Sequence, residues 1–98
     1  MSAVNTESVI VATQDQVSAD LQGEAAILKL SSGIYYGLNP VGARIWELIQ
    51  EPRSVREVRD ALSAEYDVEE ERVERDLLSI LGELANNGLV VVQDEPAP

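Results

Sequence analysis

The chain has 98 residues, and 45% of them are hydrophobic, which is enough for one small domain with a real core. It contains no Cys and no His, which excludes a thiol nucleophile, a disulfide framework, a structural zinc site and a histidine base. The formal net charge of −11 disfavours binding to nucleic acid phosphates or to an anionic membrane surface.

The first residues of the sequence do not resemble a targeting signal. Met1–Asp15 lacks a basic start and an apolar run, so it does not read as a signal peptide. No apolar run is long enough to span a membrane, and the lack of Cys suits a reducing compartment. We therefore expect a cytoplasmic protein with one domain over residues 1–98, an ordered core over about 16–92 and flexible tails at 1–8 and 93–98.

Alternating apolar residues predict strands in the first part of the chain. Gln16–Leu21, Glu24–Leu30 and Gly33–Leu38 each alternate with a period of two residues. Val9–Ala12 is either a short strand or an extended arm. Turn residues separate the three strands, which predicts an antiparallel meander with the Gly33–Leu38 strand at one edge.

Two turns set the predicted register of this meander. Gln22–Gly23 is a turn signal, and Ser31–Gly33 fits a three-residue loop that ends on a left-handed Gly. That loop places Leu30 opposite Ile34 and Leu28 opposite Tyr36, so that the apolar faces of the two strands coincide.

Three helices follow the strands. The first is predicted from about Pro40 to Gln50, with Asn39 as its N-cap and Trp46 at the border of its apolar stripe. A capping box, Ser54-x-x-Glu57, opens the second helix. The stripes of these two helices consist of Val41, Ile45, Leu48 and Ile49, and of Val55, Val58, Leu62 and Tyr66.

The third helix is predicted to begin at an Asp67-x-x-Glu70 cap and to end at Asn87–Gly88. Acidic residues fill its first turn, where the helix dipole favours them. Its buried face comprises Val73, Leu77, Leu78, Ile80, Leu81 and Leu84. Leu89–Val92 is a short extended run that must pack on another element.

Function classes can be narrowed from the same residues. No motif supplies a nucleophile with a base, a phosphate loop or a metal cluster, so we expect a protein that is not an enzyme and binds no metal or cofactor. We also expect a monomer. The carboxylates of Val68–Asp76 alternate with Arg72 and Arg75, as on a solvated helix face. Ser54 and Ser79 lack the sequence context of a phosphopantetheine attachment site, which argues against an acyl carrier.

A strand meander with three helices predicts an α+β, winged helix-turn-helix-like fold. In DNA-binding proteins of that shape the last helix enters the major groove. Here residues 67–76 hold six acids and two arginines, which phosphates would repel. A DNA-binding regulator therefore remains only as a minor alternative.

The run from Gly33 to Ile49, GIYYGLNPVGARIWELI, resembles the PqqD-like family. These proteins are precursor-recognition elements of pathways that make ribosomal peptide natural products. The resemblance extends over Gln16–Val92, through the second helix and the Tyr66–Val68 turn to Gly88–Val90. It is greatest to the stand-alone members that serve lasso peptide pathways.

The resemblance implies a function and a site. Such proteins bind the leader of a precursor peptide as a strand beside the third strand of the sheet, under the third helix. They present it to a transglutaminase-like leader peptidase and to a macrocyclase. The implied edge comprises Ile34, Tyr35, Tyr36, Gly37 and Leu38, and the implied roof comprises Arg72, Val73, Asp76, Leu77 and Ile80. The alternative function is recognition in another pathway that makes ribosomal peptide natural products, such as a radical-SAM pathway. Within the site, Leu77 and Ile80 belong either to the roof or to the core.

Overall fold

A computed structural model of the protein describes residues 4–93. Parts of both predicted flexible tails, residues 1–3 and 94–98, lie outside this range. The elements in chain order are β1 (Val9–Ala12), β2 (Gln16–Leu21), β3 (Glu24–Lys29), β4 (Ile34–Leu38), α1 (Pro40–Leu48), β5 (Arg53–Ser54), α2 (Val55–Tyr66), α3 (Glu70–Asn86) and β6 (Val90–Gln93).

The predicted meander is present as an antiparallel sheet in the order β2-β3-β4. The predicted α+β class, with a three-stranded antiparallel sheet and three helices, is thus confirmed. A second sheet, in the order β5-β1-β6, was not predicted. It makes Val9–Ala12 a strand, which was one of the two alternatives, and it gives the run after α3 its partner.

The register between β3 and β4 differs from the prediction by one residue. Ile27, not Leu28, lies opposite Tyr36, and Lys29 lies opposite Ile34. The reason is the loop: the N–H of Gly33 donates to the Lys29 carbonyl at 2.8 Å, so Leu30 leaves the strand and the loop has four residues. Because side chains alternate between the two faces of a strand, this one-residue difference turns Ile27 inward and Leu28 outward.

The second sheet closes the core below the helices. Ile10 of β1 is fully buried, and β1 pairs with β6 along its whole length. The N–H of Ala12 donates to Ile49 and the N–H of Thr13 to Leu89, both at 2.8 Å. Residues just before β1 also join the fold, because Ser8 is buried and Val4 packs against the core.

The helix ends follow the predicted caps with one exception. Asn39 Oδ1 accepts from the N–H of Gly42 at 2.8 Å, and Ser54 and Glu57 form both bonds of the capping box. Asp67, however, does not cap α3. It ends α2 in the left-handed conformation, with φ of 55°, and the N-cap of α3 is Glu69, which makes no side-chain cap bond.

The C-terminus of α3 is anchored to the sheet. The N–H groups of Gly88 and Leu89 donate back to Ala85 and Leu84, a Schellman ending in which Gly88 has the φ of +73° that favours glycine. Lys29 Nζ donates to the carbonyl of Asn87 at 3.2 Å. The last turn of α3 is thereby held over β3 and β4.

The core lies between the helices and both sheets, with Ile27 from β3 and with Ile10, Ala12 and Val90 from β1 and β6. Trp46 is 4% exposed, and its Nε1 donates to Ser18 Oγ at 3.2 Å, which ties α1 to β2. None of the helices within residues 4–93 has the length and apolar character that a bilayer span requires. Fully or almost fully buried side chains are Ile10, Ile27, Ile45, Ile49, Val55, Val58, Leu62, Leu77, Leu81 and Leu89.

Candidate functional site: an edge strand beside a helical groove

One edge of β4 has unpaired backbone groups. Antiparallel partners alternate between hydrogen-bonded and non-hydrogen-bonded pairs. The Gly33 to Lys29 bond shows that the Lys29 carbonyl faces β4, so the pairs of β3 with Ile34, Tyr36 and Leu38 are the hydrogen-bonded ones. The N–H and C=O groups of Tyr35 and Gly37 therefore point to the free edge, and no segment within residues 4–93 pairs with them.

The side chains of β4 divide between two environments. Tyr36 and Leu38 face the helices and pack against the core, while Tyr35 lies on the outer face and is 72% exposed. Ile34 is on the helix side but is 51% exposed, because it lies at the end of the strand beyond the helices. The strand thus presents a rigid inner face and an accessible backbone edge.

A cavity of about 470 Å³ lies between β4 and the C-terminal half of α3. We call it the strand-side cavity. Gly42 is part of its wall, and a Cβ there would meet the Cβ of Leu38 at 3.3 Å, so glycine lets α1 approach β4 closely. The lining residues are Tyr35, Tyr36, Gly37, Leu38, Asn39, Gly42, Ile80, Glu83, Leu84 and Asn87.

A second cavity of about 310 Å³, the helix-side cavity, lies between α1, the end of α2 and the N-terminal half of α3. Ile80 lines both cavities, so the two lie side by side along α3, and we call them together the groove. The helix-side cavity is lined by Val41, Ile45, Leu62, Tyr66, Val68, Arg72, Val73, Asp76, Leu77 and Ile80.

The predicted site residues fall on this groove with one exception. All five implied roof residues line the helix-side cavity, and the implied edge residues line the strand-side cavity except Ile34. Leu77 is 1% exposed, so it is a core residue whose surface forms the cavity floor, whereas Ile80 is half-buried between the cavities.

Sequence reasoning missed the C-terminal half of the α3 wall. Glu83, Leu84 and Asn87 lie three, four and seven residues after Ile80, and the helical repeat that placed Ile80 on the groove also places them there. Tyr66 and Val41 were missed for another reason. Both were assigned to buried stripes, yet they are 45% and 41% exposed at the rim of the helix-side cavity.

Two ion-pair networks hold the helices that form the groove. Arg59 bridges α2 and α3 through Glu74 at 3.0 Å, and bonding to Glu74 and Asp60 raises the pKa of its guanidinium. Arg44 of α1 binds Glu65 of α2 at 2.7 Å. The hydrogen bonds from Arg44 lower the pKa of the Glu65 carboxyl, and those to Glu65 and Glu47 raise the pKa of Arg44.

The site has the chemistry of a peptide groove. Within residues 4–93, no cluster of His, Cys, Asp or Glu side chains is arranged to hold a metal ion. A free strand edge beside an apolar helical groove is instead the arrangement that accepts an extended peptide by strand addition, with side-chain pockets for selectivity. The fold and the groove together define a small peptide-recognition domain.

Comparison with known proteins agrees with this class. The chain belongs to the PqqD family: residues 24–90 match the family model described as coenzyme PQQ synthesis protein D. No curated protein sequence matches the chain.

Solved structures resemble the whole fold. One, "TbiB1 in complex with the TbiA(beta) leader peptide", is 39% identical, with a TM-score of 0.77, and the match covers 89% of this chain and 99% of that one. A second, "lasso peptide synthetase B1 complexed with the leader peptide", is 27% identical, with a TM-score of 0.74 and coverage of 84% and 96%.

A third solved structure has only 16% sequence identity to this chain, so the match shows a shared fold alone. It is the solution structure of a PqqD truncation of Methylobacterium extorquens PqqCD, described as a stand-alone RiPP recognition element. Its TM-score is 0.76, with coverage of 91% of this chain and 95% of that one. The three-stranded sheet with three helices is therefore shared across widely diverged sequences.

Proposed function

We propose that this protein binds the leader segment of a ribosomally made precursor peptide by adding it as a strand to β4. The observation that carries the proposal is the free edge at Tyr35 and Gly37 beside a groove of two adjacent cavities that share Ile80. The likeness to two proteins solved with leader peptides supports the same conclusion.

The proposed pairing of the leader with β4 is antiparallel, and this sets the direction of the added strand. Tyr35 and Gly37 together offer two N–H and two C=O groups, which correspond to four hydrogen bonds. An antiparallel leader runs from the Leu38 end of β4 toward the Ile34 end. Its inward side chains enter the strand-side cavity, and residues nearer its N-terminus reach the helix-side cavity, which begins at Val41 next to that end.

Side-chain anchors, rather than backbone pairing, are expected to provide the selectivity. Each backbone hydrogen bond contributes about 1 kcal/mol net and is the same for every sequence. A buried apolar side chain contributes about 1.5–3 kcal/mol and depends on its fit to the cavity. Ordering a flexible leader costs about 2–5 kcal/mol, so binding needs at least one well-seated anchor.

Leader binding implies a role in delivering the precursor peptide to modifying enzymes. The protein acts as a cytoplasmic, monomeric, non-catalytic module that presents the leader to a transglutaminase-like leader peptidase and a macrocyclase of a lasso peptide pathway. The 27% identity to lasso peptide synthetase B1, solved with its leader peptide, supports a lasso pathway; a radical-SAM pathway is the alternative. Neighbouring reading frames for a small precursor, such a peptidase and an asparagine-synthetase-like cyclase would support this assignment.

The direct test is a fluorescence polarisation titration with two labelled leaders. One is the TbiA(beta) leader peptide, and the other is the leader of a precursor encoded beside this protein. The variant Gly37→Pro removes an outward N–H while the bonds to β3 stay in place. The matched control is Gly37→Ala, because a Cβ at Gly37 meets no atom within 4 Å and the N–H is kept.

We expect Gly37→Pro to weaken binding of both leaders by about tenfold or more, since it removes one hydrogen bond and blocks close approach at the edge. Gly37→Ala should bind within about threefold of the parent. Circular dichroism confirms that each variant is folded. Parental affinity in folded Gly37→Pro protein would rule out pairing at this edge.

A further inference from the structure

The β2-β3-β4 sheet has a second free edge, which the proposed function does not use. The N–H of Leu30 donates to the carbonyl of Asp15 at 3.2 Å, and this bond fixes the alternation along β2 and β3. The hydrogen-bonded pairs with β3 are then those of Val17, Ala19 and Leu21. The N–H and C=O groups of residues 16, 18 and 20 therefore point away from the sheet, and nothing within residues 4–93 pairs with them.

This edge carries few of the features that usually prevent pairing. Edge strands are commonly blocked by Pro, Lys, bulges or a covering helix. β2 has six residues, contains neither Pro nor Lys, and pairs with β3 without a break in register. The chain's one lysine, Lys29, lies on β3 and is turned to the end of α3. Asp20, on the inner face, is the one inward-pointing charge of β2, so the edge is open to a strand that neutralises this carboxylate.

A cavity of about 510 Å³ lies beside the inner side of this edge. It separates β2 and β3 from α1, with Trp46, Ala43 and Ala25 among its walls, and it borders β2 at Ser18 and Asp20. A strand that pairs with β2 would direct every second side chain into it, because cross-strand neighbours share a face.

The charges around this cavity favour a cationic side chain. Asp20 and Glu47 both line it, and both are exposed. Its one cation, Arg44, is bound by Glu65 at 2.7 Å and by Glu47 at 3.0 Å. Because Glu65 and Glu47 share the one guanidinium of Arg44, the charged groups around the cavity, with Asp20, carry a net negative charge. The apolar walls suit the methylene stem of a Lys or Arg, and the two carboxylates suit its charged end.

The outer side of the same edge favours apolar side chains. Val17 is 59% exposed and lies in a cross-strand row with Leu28 of β3 and Tyr35 of β4. Leu21, farther along β2, is 55% exposed on the same face. A strand added to β2 would therefore bury its outward side chains against Val17 and its neighbours.

We propose that β2 is a second strand-addition edge, and that its occupant is an extended segment of a partner protein in which basic and apolar residues alternate. The basic side chains enter the cavity beside Asp20, and the apolar ones cover the row at Val17. A second copy of this chain is a poor occupant, because it would pair two chains of charge −11 and bring their Asp20 residues to one edge. This edge and the leader edge at β4 are on opposite sides of the sheet, so both can be occupied at once.

The test uses two labelled synthetic peptides, Val-Lys-Val-Lys-Val-Lys and Val-Glu-Val-Glu-Val-Glu, titrated by fluorescence polarisation. The blocking variant is Ser18→Pro, which removes an outward N–H. Its matched control is Ser18→Ala, which keeps that N–H and likewise loses the bond to Trp46. Leader binding and circular dichroism confirm that both variants keep the fold and the β4 edge.

We expect the lysine peptide to bind at least about tenfold more tightly than the glutamate peptide. Ser18→Pro should weaken binding of the lysine peptide by about tenfold, whereas Ser18→Ala should not. In NMR hydrogen exchange, the peptide should slow the amides of Ser18 and Asp20 and leave those of Tyr35 and Gly37 unchanged. Equal binding to Ser18→Pro, slowing at β4 instead of β2, or a dimer in sedimentation that Ser18→Pro dissociates would overturn the proposal. A failure of leader binding alone would count only against the function proposed for β4.

Discussion

Ile27 lies directly opposite Tyr36 in the sheet, and both side chains point toward the helices. This pairing decides which backbone groups face outward. Because the Ile27–Tyr36 pair is hydrogen-bonded, the groups of Tyr35 and Gly37 remain free at the edge. The same residue that seals the core, Ile27 at 0% exposure, thus sets the register of the binding edge.

Substitution at Ile80 tests the groove. Ile80 lines both cavities, so Ile80→Glu would place a carboxylate where an apolar anchor of the leader is expected. We expect affinity to fall by about tenfold or more for leaders with large apolar anchors, because an anchor would be lost or would bury a charge. The control is Ser79→Glu, which adds the same charge to the exposed face of α3. If both variants bind leader equally well in fluorescence polarisation, Ile80 does not contact it.

Trp46 is predicted to matter for folding more than for recognition. It is 4% exposed in the core and bonds Ser18, and it lines neither cavity of the leader groove. Trp46→Ala should reduce the free energy of unfolding by about 3–5 kcal/mol, as large-to-small core changes do. Thermal and urea unfolding measure this loss. A variant that melts like the parent yet no longer binds leader would show that Trp46 matters more for recognition than for folding.

The Arg44–Glu65 pair should make a small, acid-sensitive contribution to stability. Arg44 lowers the pKa of Glu65 below its value in the unfolded chain. The contribution is therefore present above the unfolded pKa and is lost as the pH falls through the folded one. Since both side chains are about one third exposed, we expect about 0.2–1 kcal/mol at neutral pH. Urea unfolding of the parent and Glu65→Gln should differ by this amount at about pH 7 and agree at about pH 2. An equal difference at both values would contradict the assignment.

Leader binding should change little between about pH 6 and pH 8. The chain has no His, the side chain whose ordinary pKa falls near this window, and no Cys. The charged residues that line the groove are Arg72, Asp76 and Glu83. Fluorescence polarisation with a leader that lacks His measures the dependence. A tenfold change in affinity would reveal an acid with a strongly raised pKa.

Local signals and periodicity in the sequence agree, and they predicted the three strands of the β2-β3-β4 sheet and the three helices. Asn39 and Ser54 cap helices as their side chains predict, and the stripe of α3 contains Leu77 and Ile80, which line the helix-side cavity. The predicted register at Tyr36 was wrong, because a left-handed Gly33 can close a loop of three or of four residues. Only the hydrogen bond from the Gly33 N–H to the Lys29 carbonyl distinguishes the two loop lengths.

Two further features depend on interactions that a local pattern does not contain. The pairing of β1 with β6 joins segments that are far apart in the sequence, so no local turn signal indicates it. Asp67 has the spacing of a cap for α3, but its tolerance of the left-handed conformation made it the end of α2 instead. The β2 edge and its cavity likewise become visible only when β2 and α1 are placed together.

The most direct measurement is NMR hydrogen exchange of the β4 amides with and without saturating leader. Strand addition predicts that the N–H groups of Tyr35 and Gly37, free in the unbound protein, exchange about tenfold or more slowly in the complex. Those of Tyr36 and Leu38, already bonded to β3, should change much less. If leader saturates the protein while the amides of Tyr35 and Gly37 exchange as fast as before, the leader does not pair with this edge and the account is wrong.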